Sequence, residues 1–439
     1  MTDVEHAPVE QVQVRRGVYH DSVSLLRVSQ AAADVPGISA AQVAMATALN
    51  LDRAQALGFE IPEDLTANDL VITLRATDAA ALAAGSAAVE QALAVRAPIA
   101  TAGGEAPART VRAAARANPD AGVVLLSVPG PAVLGEALDA IEAGRHVMIF
   151  SDNVPVADEI AIKTAARAAG VLAMGPDCGT TLLGGIGLGF ANVLRAHPGP
   201  RVGIVAASGT GAQHLIALLD DAEVAVSHVL GVGGRDLSAD VGGLSTGAAL
   251  AVLDADPGTD HIVLISKPAD RTVAARIRAV AARLTTPVSL LVIGPGQDDL
   301  TAGAERVISA LSARPPVWPR WGSTAPAGRR GALRGLYSGG TLADEAMLVL
   351  ADLIGDVRSN IPLRPELALA PAGPGRARLA GSGHAVVDLG DDEFTVGRPH
   401  PMLDPTLRLA LLAEQAADPD VAVVLLDVAL GHAADADPA

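Results

Sequence analysis

The chain has a single cysteine, Cys178, in 439 residues, so no disulfide can form within it. That scarcity points to a reducing compartment. Aromatic residues make up only 2% although half the residues are hydrophobic, so the apolar content is mostly Ala, Val and Leu. Small and branched side chains of this kind fill the layers between helices and parallel sheets. Basic residues are in deficit, 32 Lys and Arg against 49 Asp and Glu, for a net charge of -17. A surface this acidic repels nucleic acid and anionic membranes. Small anionic substrates remain open, because helix N-termini create local positive potential. No apolar run is long enough to span a bilayer, and the first residues, MTDVEHAPVEQVQV, lack the basic region and apolar core of a signal peptide. A cytoplasmic protein is expected.

What is present is strand–helix alternation. From about residue 110 to 312, runs such as AGVVLLSVPG, HVMIFSDN, VLAMGPDCGT, RVGIVAASGTG, HVLGVGGRDL, HIVLISKP and VSLLVIGPG are each separated by about one helix. This is the pattern of βαβ units in an open parallel sheet. The fold class is α/β, with tandem Rossmann- or flavodoxin-like parallel-sheet domains. The expected divisions are an N-terminal α/β domain (1–109), two such units (110–198 and 199–312), a Pro- and Trp-containing linker (313–331) and a last domain (332–439). The final strand, VAVVLLDV, is expected to end at Gly431-His432. The chain stops shortly beyond it, so that sheet edge looks cut short or supported by a partner.

Ligands in such folds sit beyond the carboxyl ends of the strands. The clearest turn there is Ser208-Gly209-Thr210-Gly211, where an apolar strand meets a helix start. Free N–H groups, the helix dipole and two hydroxyls suit phosphate or carboxylate without any lysine. Ser338-Gly339-Gly340-Thr341 repeats the pattern. Gly233-Gly234-Arg235-Asp236 follows another strand; Arg235 can grip a carboxylate or phosphate bidentately, or pair with Asp236 or Asp240. Asp152 and Asn153 can orient a ligand or cap the next helix. Asp177, Cys178, Gly179 and Thr180 form a loop suited to line a ligand. Lys267 is costly to bury without a partner, so it is matched to a substrate carboxylate unless it is simply exposed. The densest polar cluster runs from Asp388 through Asp391, Asp392, Glu393, Arg398 and His400 to Asp404. Prolines on both sides of His400 hold Arg398 and His400 in a rigid loop, for a substrate role or as partners of Asp391 and Asp392. The carboxylate spacing fits no Ca²⁺ loop, and no metal site is assigned. Gly431 and His432 form a further helix-start candidate.

The segments SDNVPVADEI, MGPDCGT, ASGTG, GVGGRDLSADVGG, YSGGTLADEA, DLGDDEFTVGRPHPMLDPTLR and LLDVALG together resemble the FdrA family, which is itself similar to the succinyl-CoA synthetase superfamily. On this resemblance, residues 110–198 look like a CoA-binding domain, 199–312 like an α-subunit ligase domain, and 375–439 like the corresponding β-subunit domain. Two parts of such a synthetase are missing. There is no ATP-grasp domain, and the phosphohistidine segment expected after VSLLVIG reads GPGQDDLTAGA, without histidine. The resemblance implies a carbamoyltransferase subunit that converts oxalurate and phosphate to oxamate and carbamoyl phosphate in purine (allantoin) catabolism. An ADP-forming acyl-CoA synthetase subunit is the alternative, and a noncatalytic scaffold is a third. In the first reading phosphate and carbamoyl phosphate are substrates and no cofactor is required; CoA is allowed by the second. Companion subunits of a hetero-oligomeric complex, and further copies of this chain, are the implied partners. Arg398, His400, Lys267 and Arg235 are the side chains assigned to catalysis.

Overall fold

The computed structural model describes residues 8–430 apart from 19, 21, 63, 67, 95–107, 193, 320–329, 371–378, 380, 382 and 396–399. The chain divides into two units, one of Met1–Pro107 with Phe394–Leu407, the other of Ala108–Glu393 with Arg408–Ala439. Among the described residues no helix is long and apolar enough to cross a membrane.

The first unit runs β1 (Val9–Arg15), α1 (Ser22–Ala33), β2 (Ile38–Met45), α2 (Ala48–Ala56), β3 (Leu70–Ala76) and α3 (Ala79–Ala94). β3 is central and antiparallel to both neighbours. Its run LVITLRA is almost wholly buried, as a middle strand must be. Leu70, Ile72 and Leu74 close a core with Leu25 and Val28 of α1 and Val89 of α3. The segment 394–407 is tied in by Arg53 of α2, whose Nη1 lies 3.1 Å from Asp404 Oδ2 and whose Nη2 donates to Thr406 Oγ1 at 3.3 Å.

The second unit begins with α4 (Val111–Ala117), β4 (Val123–Leu126), α5 (Val133–Glu142), β5 (His146–Ile149), α6 (Val156–Ala169) and β6 (Ala173–Met174), with β4-β5-β6 parallel. A hairpin follows, β7 (Thr180–Leu183) and β8 (Ile186–Gly189), turned by Gly184 and Gly185 at φ 56° and 86°. Paired glycines supply the two positive φ values that a tight hairpin turn needs. Next come β9 (Arg201–Ala207), α7 (Gly209–Asp221), β10 (Ala225–Gly231), α8 (Leu244–Ala255), β11 (His261–Ser266), α9 (Arg271–Ala281), β12 (Val288–Val292) and α10 (Leu300–Ala310). Their sheet has the order β12-β11-β9-β10-β7-β8, parallel as far as β10. The last group is β13 (Ala332–Tyr337), α11 (Gly340–Ile354), β14 (Ala385–Asp388), α12 (Asp392–Thr395), α13 (Thr406–Ala417) and β15 (Val421–Leu426), a parallel sheet of order β14-β13-β15.

The parallel α/β architecture agrees with the strand–helix alternation of the sequence. Three details differ. The hairpin β7–β8 pairs with β10 and so extends the sheet built by residues 201–292. A segment of the last domain, 394–407, groups with the N-terminal unit. The last strand ends at Leu426, before Gly431-His432. Arg398, Gly431 and His432 lie outside the described residues, as does most of the segment read as a linker.

Candidate functional site

β10-β9-β11 and β14-β13-β15 have the same chain order and direction. Each therefore presents equivalent positions at its carboxyl edge. Ser208 follows β9 as Ser338 follows β13, and Lys267 follows β11 as Asp427 follows β15. The second pair carries opposite charges, so the two halves of the edge are electrostatically unlike.

The helices that leave these edges meet at their N-termini. Ser208 caps α7, its Oγ accepting from Gly211 N at 3.0 Å, and the same Oγ lies 2.5 Å from Thr341 Oγ1 in the first turn of α11. Gly339 permits the approach, because a Cβ there would stand 2.6 Å from Thr210 Cγ2. Ser208 and Thr341 are buried, whereas Gly209 is exposed and Thr210 partly so. The two starts differ in what they hold. Ser338 N and Gly339 N each donate to Asp427 at 2.9 Å, and Ser338 Oγ donates to it at 2.9 Å. Arg408 Nη1 secures that carboxylate at 2.9 Å. The amides of Ser338 and Gly339, read from sequence as a ligand site, are thus occupied by the protein's own Asp427 carboxylate. The open amides are those at the start of α7 other than Gly211 N, and those of the first helical turn from Gly340.

A group of acids surrounds Lys267, which is 34% exposed. Its Nζ lies 4.0 Å from Asp388 Oδ2, while Asp388 Oδ1 accepts from Gly390 N at 3.0 Å. Gly340 sits against both, since a Cβ there would fall 2.3 Å from Lys267 Nζ and 2.4 Å from Asp388 Oδ2. Burial pushes Asp388 up to about 6 against the pull of Lys267. Asp344, in the next turn of α11, is pushed up to about 7 by burial, again opposed by Lys267. Asp177 has φ 54°, a left-handed conformation uncommon outside glycine. Desolvation and the like charge of Asp152 raise its pKa while Lys267 lowers it. Its side chain is exposed, and water screens these charges. Perturbed carboxyls gathered at a sheet edge are a mark of functional sites.

These shifts have a consequence for stability. The folded chain holds the Asp344 proton more tightly than the unfolded chain does, so stability is lost as pH rises from about 4 through about 7. Asp344→Asn should flatten that decline. Between pH 5 and 8 the variant should gain on the order of 1–3 kcal/mol relative to the parent in urea unfolding. Parallel curves for the two proteins would exclude the shift.

The remaining sequence candidates are placed as follows. Cys178 is buried with its Sγ 3.2 Å from Thr181 Oγ1, and burial raises its thiol to about 11. It is therefore a neutral core side chain at neutral pH, which corrects its reading as a ligand-lining residue. Thr180 is buried and accepts from Gln213 at 3.1 Å, and Gly179 O accepts from Phe190 N, so Asp177 is the accessible member of that loop. Asp152 and Asn153 do not cap α6, which starts behind Pro155 with no side-chain cap. Gly233 has φ 91° and packs on the Gly175-Pro176 backbone, while Gly234 faces open space. Arg235 pairs with neither Asp236 nor Asp240. Its Nε donates to Glu159 at 3.1 Å, its Nη2 to Val154 O at 2.7 Å, and its Nη1 lies 3.4 Å from Asp392. Asp236 instead accepts from Lys163 at 2.7 Å and from Ser245 N, Thr246 N and Thr246 Oγ1 at the start of α8. The GGRD motif thus braces α6 against the β10–α8 connection. His400 lies in the 394–407 segment of the first unit, where its Nδ1 accepts from Met402 N at 3.3 Å. Asp344, Asp427, Arg408, Glu159 and Lys163 escaped the sequence reading. Asp344 sits one turn past Gly340 on the same helix face, a spacing that could have flagged it; the others are joined only by the fold.

A family profile described as AllF, heavy metal-associated domain, matches residues 7–109, and one described as CoA-ligase matches residues 336–439. The uncharacterized protein YahF of Escherichia coli (strain K12) is 35% identical over 461 aligned positions, 98% of this chain and 85% of that protein. The succinate–CoA ligase (ADP-forming) subunit alpha of Methanothermobacter thermautotrophicus is 29% identical over 189 positions, which is 42% of this chain and 63% of that subunit. The matched region is therefore under two thirds of that subunit. The structure of ATP citrate lyase from Methanothrix soehngenii in complex with citrate and coenzyme A is similar with a TM-score of 0.36 at 17% identity, over 42% of this chain and 31% of that one. The heavy-metal description finds no donors to match. Residues 7–109 hold no cysteine and a single histidine, His20, and among the described residues no group of three or more His, Cys, Asp or Glu is placed to hold a metal. Soft metals require thiolate or imidazole donors, so no metal role is assigned to this domain. The chain belongs to the family of Escherichia coli YahF, CoA-ligase-like and similar to succinyl-CoA synthetase α subunits, with an AllF-type N-terminal domain.

Proposed function

We propose that the second unit transfers an acyl group between phosphate and CoA, in the manner of an ADP-forming CoA ligase. The phosphoryl group would sit before the paired starts of α7 and α11, beside Lys267. The observation that carries this reading is the 2.5 Å contact between Ser208 Oγ and Thr341 Oγ1, which brings two helix N-termini to one point. Their amides and dipoles stabilise charge on transferred oxygens without needing reorganisation. Holding both reactants there turns a bimolecular step into a unimolecular one. Companion subunits would supply a nucleotide-dependent step, and the protein would act in the cytoplasm.

A second reading, carbamoyl transfer by an FdrA-type subunit, is favoured by one observation. The segment after β12, GPGQDDLTAGA, has no histidine to carry phosphate. Oxalurate and phosphate would then give oxamate and carbamoyl phosphate at the same anion site.

Isothermal titration of the chain, alone and with its genomic-neighbour subunits, against inorganic phosphate, carbamoyl phosphate and CoA separates the two. Binding of CoA together with phosphate supports the ligase; phosphate and carbamoyl phosphate without CoA support the carbamoyltransferase. Binding of none of the three rejects both. Gly209→Asp is the matching variant, since a Cβ at Gly209 meets nothing within 4 Å. An acid there favours the N-terminus of α7 but repels a bound anion. Phosphate affinity should fall roughly tenfold or more, about 1.4 kcal/mol, with the melting temperature unchanged or higher. Unaltered affinity would move the anion away from α7.

A further inference from the structure

Asp344 is 5% exposed, and among the described residues no hydrogen bond reaches its carboxyl and no cation lies within 4 Å of it. Buried carboxyls are nearly always hydrogen-bonded. The neighbouring ones here obey that rule: Asp236 accepts from Ser245, Thr246 and Lys163, Asp388 from Gly390 N, and Asp427 from Ser338, Gly339 and Arg408. Asp344 is the exception, and its position is specific. It lies four residues after Gly340 on α11, so the two share a helix face. At Gly340 that face meets Lys267 Nζ and Asp388 Oδ2. The same two charges act on Asp344. The sealed, unpartnered polar side-chain atoms among the described residues are those of Gln42, Arg145, Asn192 and Thr395, so the Asp344 carboxyl still reaches solvent and can meet a ligand there.

We propose that Asp344 completes the anion site, its carboxyl forming a hydrogen bond with an oxygen of the bound phosphoryl group. This rests on the reading of the α7–α11 junction as an anion site. Lys267 supplies positive charge to the same ligand, and the neutral carboxyl adds a donor where an ionised one would repel. The charged groups that act on it are Lys267 after β11 and Asp388 at the end of β14, and Lys267 acts in turn on Asp177 after β6. Burial raises Asp344 to about 7, with Lys267 opposing and Asp388 assisting, so it keeps its proton at pH 6 and has lost it at pH 9. Anion affinity should therefore decline with rising pH as Asp344 ionises.

The test is sulfate titration by calorimetry at pH 6 and pH 9, because sulfate keeps one charge across that range. The parent protein should bind at least roughly tenfold more weakly at pH 9. Asp344→Asn, isosteric and also a donor, should bind at both pH values about as well as the parent does at pH 6. Asp344→Ala should bind weakly at both, with no slope. A parent protein with equal affinity at the two pH values overturns the proposal while leaving the anion site intact. A slope that persists in both variants does the same and assigns it to another group. Absence of sulfate and phosphate binding at either pH rejects the anion site itself.

Discussion

Gly340→Ala should leave the protein folded and reduce its affinity for inorganic phosphate at least tenfold, about 1.4 kcal/mol. The added Cβ would lie 2.3 Å from Lys267 Nζ and 2.4 Å from Asp388 Oδ2, well inside contact distance. The two neighbours respond differently. Lys267 Nζ ends a flexible, partly exposed chain and can move away. Asp388 is 2% exposed, with Oδ1 bonded to Gly390 N and its backbone held on both sides by Asn360. The ammonium is therefore what shifts, and the site loses its cation. Stability should fall as well, because moving the lysine does not relieve the contact with the fixed Asp388 carboxylate. Calorimetry with phosphate and a thermal melt measure the two effects separately. Retained affinity would show that Lys267 does not contact the anion, and a collapse of the melt would make Gly340 a packing residue only.

Lys163→Met should strongly destabilise the second unit. Lys163 is 2% exposed, and its Nζ binds Glu159 at 2.7 Å, Asp236 at 2.7 Å and Val232 O at 2.8 Å. Methionine fills the volume but leaves two buried carboxylates short of a counter-charge. Breaking one partner of a buried ionic cluster costs about 3–5 kcal/mol. Glu159 would keep only Arg235, and Asp236 only the donors of Ser245 and Thr246. The urea midpoint of this unit should fall with its slope unchanged. A loss under about 1 kcal/mol would mean that water or another cation replaces the ammonium. The cluster links α6, next to the β4-β5-β6 sheet, to the connection between β10 and α8. Its loss should also expose that junction to protease before the rest of the unit.

Much of this architecture is legible along the chain because its causes are local. Apolar runs such as GIVAA and HIVLIS are long enough for a buried strand and too short for a helix, and each is followed by a turn and an amphipathic stretch. Ser208 stands at a strand end for the same local reason, and a capping serine needs only the amide three residues on. Charge partners are a different matter. Arg235 lies next to Asp236 in sequence, yet the two side chains diverge, one to Glu159 and the other to Lys163. Cys178 stands in a polar loop and still turns its thiol into the core.

Composition and periodicity alone determined the α/β class, the deficit of cysteine and of positive charge, and the two glycine-rich helix starts. Tertiary structure decided that these starts meet, that Asp427 fills one of them, and that Lys267, Asp388 and Asp344 gather beside the other. The reason is range. A strand or a cap follows from contacts within a few residues, whereas Ser208 and Thr341, 133 residues apart, become neighbours only when α7 and α11 meet in the folded chain.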